Sequence, residues 1–150
     1  MSDNALRLIE AARVAAGFAH APYSRFGVGA AILMDDDSIV TGTNFENASY
    51  GLSLCAETVA LAKANSEGKL RRVVEIGVIG GMQDAAGALT GGDIVRPCGR
   101  CRQILNEAAQ LAGRDILIHC ASGDGAHHDT LKLSDLLPHA FGPRDLGIVD

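Results

Sequence analysis

The sequence has no tryptophan and few aromatic rings of any kind, with four Phe and two Tyr among 150 residues. An aromatic in a polar stretch is therefore a feature to be explained. Clusters of Lys and Arg are missing too. Thirteen basic residues face eighteen acidic ones, a formal net charge of −5, which argues against a surface built to wrap a nucleic acid backbone or to sit on anionic lipid. No apolar run approaches the roughly 18 residues that a membrane-spanning helix needs. Met1-Ser2-Asp3-Asn4 opens the chain without the basic and apolar regions of a secretory leader. These absences set the expectation of a cytoplasmic protein with reduced thiols and no membrane partner. Cysteine is scarce as well. Cys55, Cys98, Cys101 and Cys120 could form two disulfides in a small secreted chain, but in a reducing compartment they are available for metal or catalysis.

What remains is a globular composition. With 47% hydrophobic and 21% charged residues the chain lies outside the disordered range. Its 150 residues predict one domain spanning 1–150, with a core that needs no staples and buries roughly 70% of the unfolded surface.

Apolar residues at Leu6, Ile9, Ala12, Ala16 and Ala19 fall on one helical face, capped by Asp3 or Asn4 and ended by Pro22. Val28–Met34 and Ile39–Thr43 flank Asp35-Asp36-Asp37, the pattern of a β-hairpin. A loop over Asn44–Leu52 precedes an Ala-rich helix over Cys55–Glu67, stopped by Gly68. Val73–Ile79 reads as a buried strand, Gly80–Arg96 as a glycine-rich loop, and Cys98–Ala112 as a helix ended by Gly113. Asp115–Cys120 is a further strand, Ser122–Asp129 a loop, and Leu131–Leu137 a short helix or strand end before Pro138. The order α, β, β, α, β, α, β predicts an α/β domain with helices on both faces of a mixed sheet.

The chemistry gathers at the cysteines. Cys98-Gly99-Arg100-Cys101 alone is compatible with zinc, redox chemistry or coincidence. Its company decides. The pair follows Pro97 and starts a predicted helix, and so does Cys55, with Glu57 two positions on. Helix N-termini lower thiol pKa values, so the three sulfurs are placed to be thiolates. Three protein ligands leave one tetrahedral position open, as in catalytic zinc sites. A ligand two residues before a glutamate, followed by Pro-Cys-x-x-Cys, resembles the signature of zinc deaminases. Zinc makes bound water acidic near neutral pH, and Glu57 is the carboxylate that can take the proton and pass it on. Three thiolates around a dication leave a net negative centre, which Arg100, Arg102 or the Thr58 hydroxyl could offset. Cys120, inside a strand, reads as a small buried hydrophobe, and His127 and His128 as solvent-exposed loop residues.

Six motifs in order then carry a resemblance: Ala21-Pro22-Tyr23-Ser24-Arg25-Phe26, Asn44-Phe45-Glu46-Asn47-Ala48-Ser49-Tyr50-Gly51, Cys55-Ala56-Glu57, Ser66-Glu67-Gly68, Pro97-Cys98-Gly99-Arg100-Cys101-Arg102-Gln103, and Leu136-Leu137-Pro138-His139-Ala140-Phe141-Gly142-Pro143. Over nearly its whole length the chain resembles the small homotetrameric zinc cytidine deaminases. The resemblance implies a three-layer α/β/α sandwich around a mixed five-stranded sheet, one Zn²⁺ per subunit, and active sites shared within a homotetramer. It implies hydrolysis of free cytidine and 2′-deoxycytidine to the uridine nucleosides plus ammonia, in pyrimidine salvage. By the same resemblance Asn44 and Glu46 hold the ribose 3′-hydroxyl, Phe26 lies near the base and the Ala56 N–H donates to the base carbonyl. Ala48, Tyr50 and Phe141 reach the substrate from neighbouring subunits. From composition alone Phe26 and Phe141 would be core residues.

Four positions depart from the family pattern. Thr58 stands where an arginine usually donates to the zinc thiolates, Arg96 where a small residue precedes Pro97, Gly27 where proline is common, and Phe45 where a smaller apolar residue is usual. They leave open a related substrate, such as a modified cytosine nucleoside or a nucleoside antibiotic. Deamination within nucleic acid is disfavoured by the −5 charge. A zinc-stabilised module without activity is the non-enzymatic alternative.

Overall fold

Ser2 accepts a hydrogen bond from the Ala5 N–H at 3.1 Å and so caps α1 (Asp3–Ala16) in the computed structural model, which describes residues 1–150. The cap lies just before Asp3, and the helix ends at Gly17 instead of running on to Pro22. The apolar spacing outlasts the helix because Phe18 and Ala19 bond back to Ala15 and Ala16, prolonging the coil as tighter turns. The buried face is Ala5, Leu8, Ile9, Ala12 and Ala16, and Leu6 points outward.

The hairpin forms as expected, from β1 (Phe26–Met34) and β2 (Ile39–Thr43), with Asp37 left-handed in the turn at φ 69°. α2 (Ala56–Ser66) starts one residue after Cys55, and left-handed Gly68 follows its end. β3 (Val73–Met82) and β4 (Leu117–Ser122) are joined through α3 (Gly99–Ala112), which left-handed Gly113 terminates. β5 (His128–Lys132) and the short α4 (Leu133–Leu136) follow. The sheet order is β2-β1-β3-β4-β5, with β3 and β4 parallel and every other pair antiparallel. This is the mixed five-stranded sheet expected.

Two stretches read as loop are strand. β3 continues through Gly80 and Gly81, which have no side chain to show a period but pair with Val28 and Gly27 of β1. β5 carries His, Asp and Lys, poor strand formers, and is held by its ladder to β4 at the sheet edge.

Alternation along the strands divides the core. Ala31, Leu33, Ile79 and Ala121 face Leu8, Ile9 and Ala12 of α1, while Ile32, Ile76, Val78 and Ile118 face Ala60 and Ala64 of α2 and Leu105 and Ala108 of α3. The result is three layers, α/β/α. Gly42 sets how close the second layer comes. A Cβ there would stand 2.5 Å from the Ala60 N and 2.7 Å from the Ala56 O, so α2 lies with its backbone directly on β2. Gly29 plays the same part under α1, where a Cβ would stand 1.8 Å from the Ala12 O.

Candidate active site

Cys55 and Cys98 occupy the N-cap positions of α2 and α3 in extended backbone conformation, and neither side chain caps its helix. Both sulfurs are thus free to point toward each other. Cys101, one turn into α3, is fully buried. The Cys55 and Cys98 Sγ atoms are 3.9 Å apart, and all three sulfurs lie within 4.8 Å of one another. Zinc–sulfur bonds of about 2.3 Å in a tetrahedron place sulfurs about 3.8 Å apart, so the donor set and its spacing fit zinc. Cys120 stays apart from the cluster, buried in β4 with its thiol pushed up to about 12 by burial.

The three thiols perturb one another. Cys55 is lowered to about 6, chiefly by hydrogen bonding from Cys101, against the effect of its own burial, and then by Cys98 and the Arg100 charge. Cys101 is raised, first by its bond to Cys55 and then by burial. Glu57, on the first turn of α2, is only 3% exposed. Burial raises its pKa, its own backbone N–H opposes this, and the Cys55 charge adds to the rise.

The candidates for offsetting thiolate charge do different things. The Thr58 Oγ1 lies 3.9 Å from the Cys101 Sγ, within reach of a weak hydroxyl–sulfur bond. Arg100 is exposed and acts on Cys55 through its charge. Arg102 turns away from the sulfurs: its Nε donates to the Pro97 carbonyl at 2.8 Å and its Nη1 to the Leu136 carbonyl at 3.1 Å. It braces the chain that carries Cys98.

A cavity of about 310 Å³ opens onto this cluster, lined by Cys55, Ala56, Glu57 and Cys98 together with Phe26, Val28, Asn44, Glu46 and Leu54. A cleft of about 390 Å³ at the C-terminal end of α3 shares no lining residue with it. Four residues singled out from the sequence as substrate contacts, Phe26, Asn44, Glu46 and Ala56, are therefore brought together with the cysteines. In this chain Asn44 and Glu46 also brace backbone. Asn44 accepts from the Val28 N–H at 2.9 Å and donates to the Phe26 carbonyl at 2.8 Å. Glu46 accepts from the Tyr23 N–H, the Ser24 N–H and the Ser24 hydroxyl, the last at 2.5 Å. Each retains a lone pair or proton for a further partner. The Ala56 N–H, first in its helix, has no intrahelical acceptor.

Three other sequence candidates are not at this pocket. Ala48 is exposed. Tyr50 is 73% exposed and meets Tyr23 edge-on at 5.5 Å between ring centroids. Phe141 is 61% exposed, its carbonyl held by the Gln103 and Asn106 side chains at 2.8 and 3.2 Å. It is not the core residue that composition alone suggests. Sequence reasoning in turn missed Ser24, Val28, Ser53, Leu54 and Val95 as lining residues. Ser24 sits within a quoted motif, while the others carry no signal beyond being small or apolar.

A three-layer α/β/α sheet with three thiols at two helix starts, beside a buried carboxylate in an open pocket, defines a zinc-dependent hydrolytic class. Comparison with known proteins makes the family explicit. A sequence model described as the cytidine and deoxycytidylate deaminase zinc-binding region matches residues 2–113, and the chain belongs to that family. It is 42% identical to a cytidine deaminase of Halalkalibacterium halodurans over 144 residues, 96% of this chain and 98% of the relative. It is 44% identical to one of Mycobacterium tuberculosis over 139 residues, 91% of this chain and 87% of the relative. A crystal structure of a cytidine deaminase from Burkholderia pseudomallei superposes with a TM-score of 0.77 at 37% identity, covering 94% of this chain and all of that one.

Proposed function

We propose that the chain hydrolyses free cytidine and 2′-deoxycytidine to uridine and 2′-deoxyuridine, releasing ammonia, as a cytoplasmic enzyme of pyrimidine salvage. The observation that carries this is Glu57, 3% exposed yet lining the same cavity as Cys55 and Cys98. Relatives named as cytidine deaminases over nearly their whole length support the substrate. Cys55, Cys98 and Cys101 would hold the zinc, which when bound supplies activation of the attacking water. Glu57 takes the proton from that water and returns it to the ring nitrogen and the leaving amine. Burial raises its pKa, the direction that favours a carboxyl returning a proton as well as taking one. The Ala56 N–H donates to the base carbonyl, and Phe26 borders the base. Asn44 and Glu46 receive the ribose 3′-hydroxyl, pre-oriented by the backbone groups they already bind. The N-termini of α2 and α3, with the Thr58 hydroxyl, offset negative charge on the thiolates. Ala48, Tyr50 and Phe141, which do not line their own chain's cavity, serve neighbouring subunits of a homotetramer.

Loss of cytidine absorbance, followed beside zinc content, tests this reading. The native protein should hold one zinc per chain and convert cytidine. Glu57→Gln should keep the zinc and lose roughly 10²- to 10⁴-fold in turnover, the range of a general acid–base group. A zinc-loaded protein that leaves cytidine unchanged would make the chain a metal-stabilised module. Arg96 in the cavity wall favours, as a second reading, an analogue or nucleoside antibiotic as substrate. A panel of cytosine nucleosides ranked by kcat/KM separates the two.

A further inference from the structure

We propose that Arg96 and Asp129 form a positioning pair that holds the segment entering Cys98 against the far edge of the sheet, and so fixes one wall of the pocket. The inference rests on the deaminase reading above. Arg96 lines the cavity shared by Cys55, Glu57 and Cys98, and its Nη2 donates to the Asp129 Oδ2. Asp129 belongs to β5, the edge strand, where it lies opposite Cys120 of β4. Opposed residues of an antiparallel ladder share a face. The Asp129 carboxylate is thus on the same side of the sheet as α3, the helix that Cys98 begins.

The same segment is held elsewhere. Ile94 bridges to Ser122 of β4, Pro97 is buried, and the Pro97 carbonyl accepts from Arg102. Arg96 closes the gap between these anchors. Its side chain is the tie from the pocket wall to β5, as Arg102 is the tie from Pro97 to α4.

The second observation is the state of the carboxylate. The Asp129 Oδ1 is buried and accepts no hydrogen bond. The Arg96 and Asp129 side chains are 42% and 29% exposed, so their ion pair adds little to stability, and the unpartnered oxygen subtracts from that little. A tie that adds so little stability and lies in the pocket wall contributes chiefly by position.

Two readouts test this, the rate at which the zinc protein yields its metal to a chromogenic chelator and kcat against KM with cytidine. Arg96→Ala should lose zinc about 10-fold faster or more, the scale of outer-shell effects on metal sites. Its kcat should fall by a similar factor with KM less affected. Arg96→Lys should recover part of both. The double variant Arg96→Met, Asp129→Leu should unfold close to the native temperature yet keep both defects. Arg72→Ala, which breaks the hairpin ion pair with Asp35, should change neither readout. Native behaviour of Arg96→Ala, or full recovery in the double variant, overturns the proposal. If the native protein does not deaminate cytidine, the deaminase reading fails, and zinc release alone still decides for or against the pair.

Discussion

Glu46 shows how one side chain serves fold and pocket together. Burial pushes its pKa up, but hydrogen bonds from the Ser24 hydroxyl, the Ser24 N–H and the Tyr23 N–H, with the His20 charge, outweigh this and hold it below 4.5. A carboxyl whose folded value is depressed binds protons more tightly in the unfolded chain. Its contribution is present above the unfolded value and disappears as pH falls through the folded one. The native protein should therefore lose part of its thermal stability on acidification below about pH 4.5, and Glu46→Gln should make that limb of the curve shallower. Melting temperatures across the acid range check this, and parallel curves for the two proteins would refute it. Thr58 is the opposite kind of residue. It places an uncharged hydroxyl 3.9 Å from the Cys101 sulfur, leaving helix N-termini and the Arg100 charge to balance the thiolates.

At the scale of elements, the site depends on how far α2 is lowered onto the sheet. Gly42 leaves no room for a methyl group between β2 and the α2 backbone, and α2 opens with Ala56 and Glu57 just after Cys55. Gly42→Ala should cost about 1–3 kcal/mol as an overpacked core position. It should also lower kcat, because lifting α2 moves Glu57 relative to the α3 cysteines. Chemical denaturation and turnover measured together check this, and full activity despite the stability loss would uncouple the two. Much of this element layer was legible in the sequence. Hydrophobic periodicity located α1, the hairpin and α3, and the Cys-Ala-Glu and Pro-Cys-x-x-Cys motifs located the helix starts to within a residue. What stayed hidden was what single-sequence patterns do not carry. β5 is a strand by virtue of its ladder to β4, and Gly80 and Gly81 are in strand through pairing with β1. The Arg96–Asp129 tie joins residues 33 positions apart, a contact no local spacing encodes.

For the whole molecule, the proposed homotetramer makes the exposed rings of Tyr50 and Phe141 its test. Five of the six aromatic residues are exposed, Phe18 at 80%, Tyr50 at 73% and Phe141 at 61% among them, and single exposed rings are ordinary on a protein surface. Neither Tyr50 nor Phe141 lines its own chain's cavity. If neighbouring chains lend them, Phe141→Ala should raise KM for cytidine about 30-fold, the effect of losing a contact of about 2 kcal/mol. A stricter expectation follows from that proposed sharing. Glu57→Gln and Phe141→Ala chains are each impaired at every site of their own assemblies. In a mixed assembly, some pockets combine an intact Glu57 from one chain with an intact Phe141 from its neighbour. Co-assembled variants should therefore regain a substantial fraction of native turnover, beyond the sum of the two measured separately. Mixed assemblies no more active than that sum would confine each pocket to a single chain.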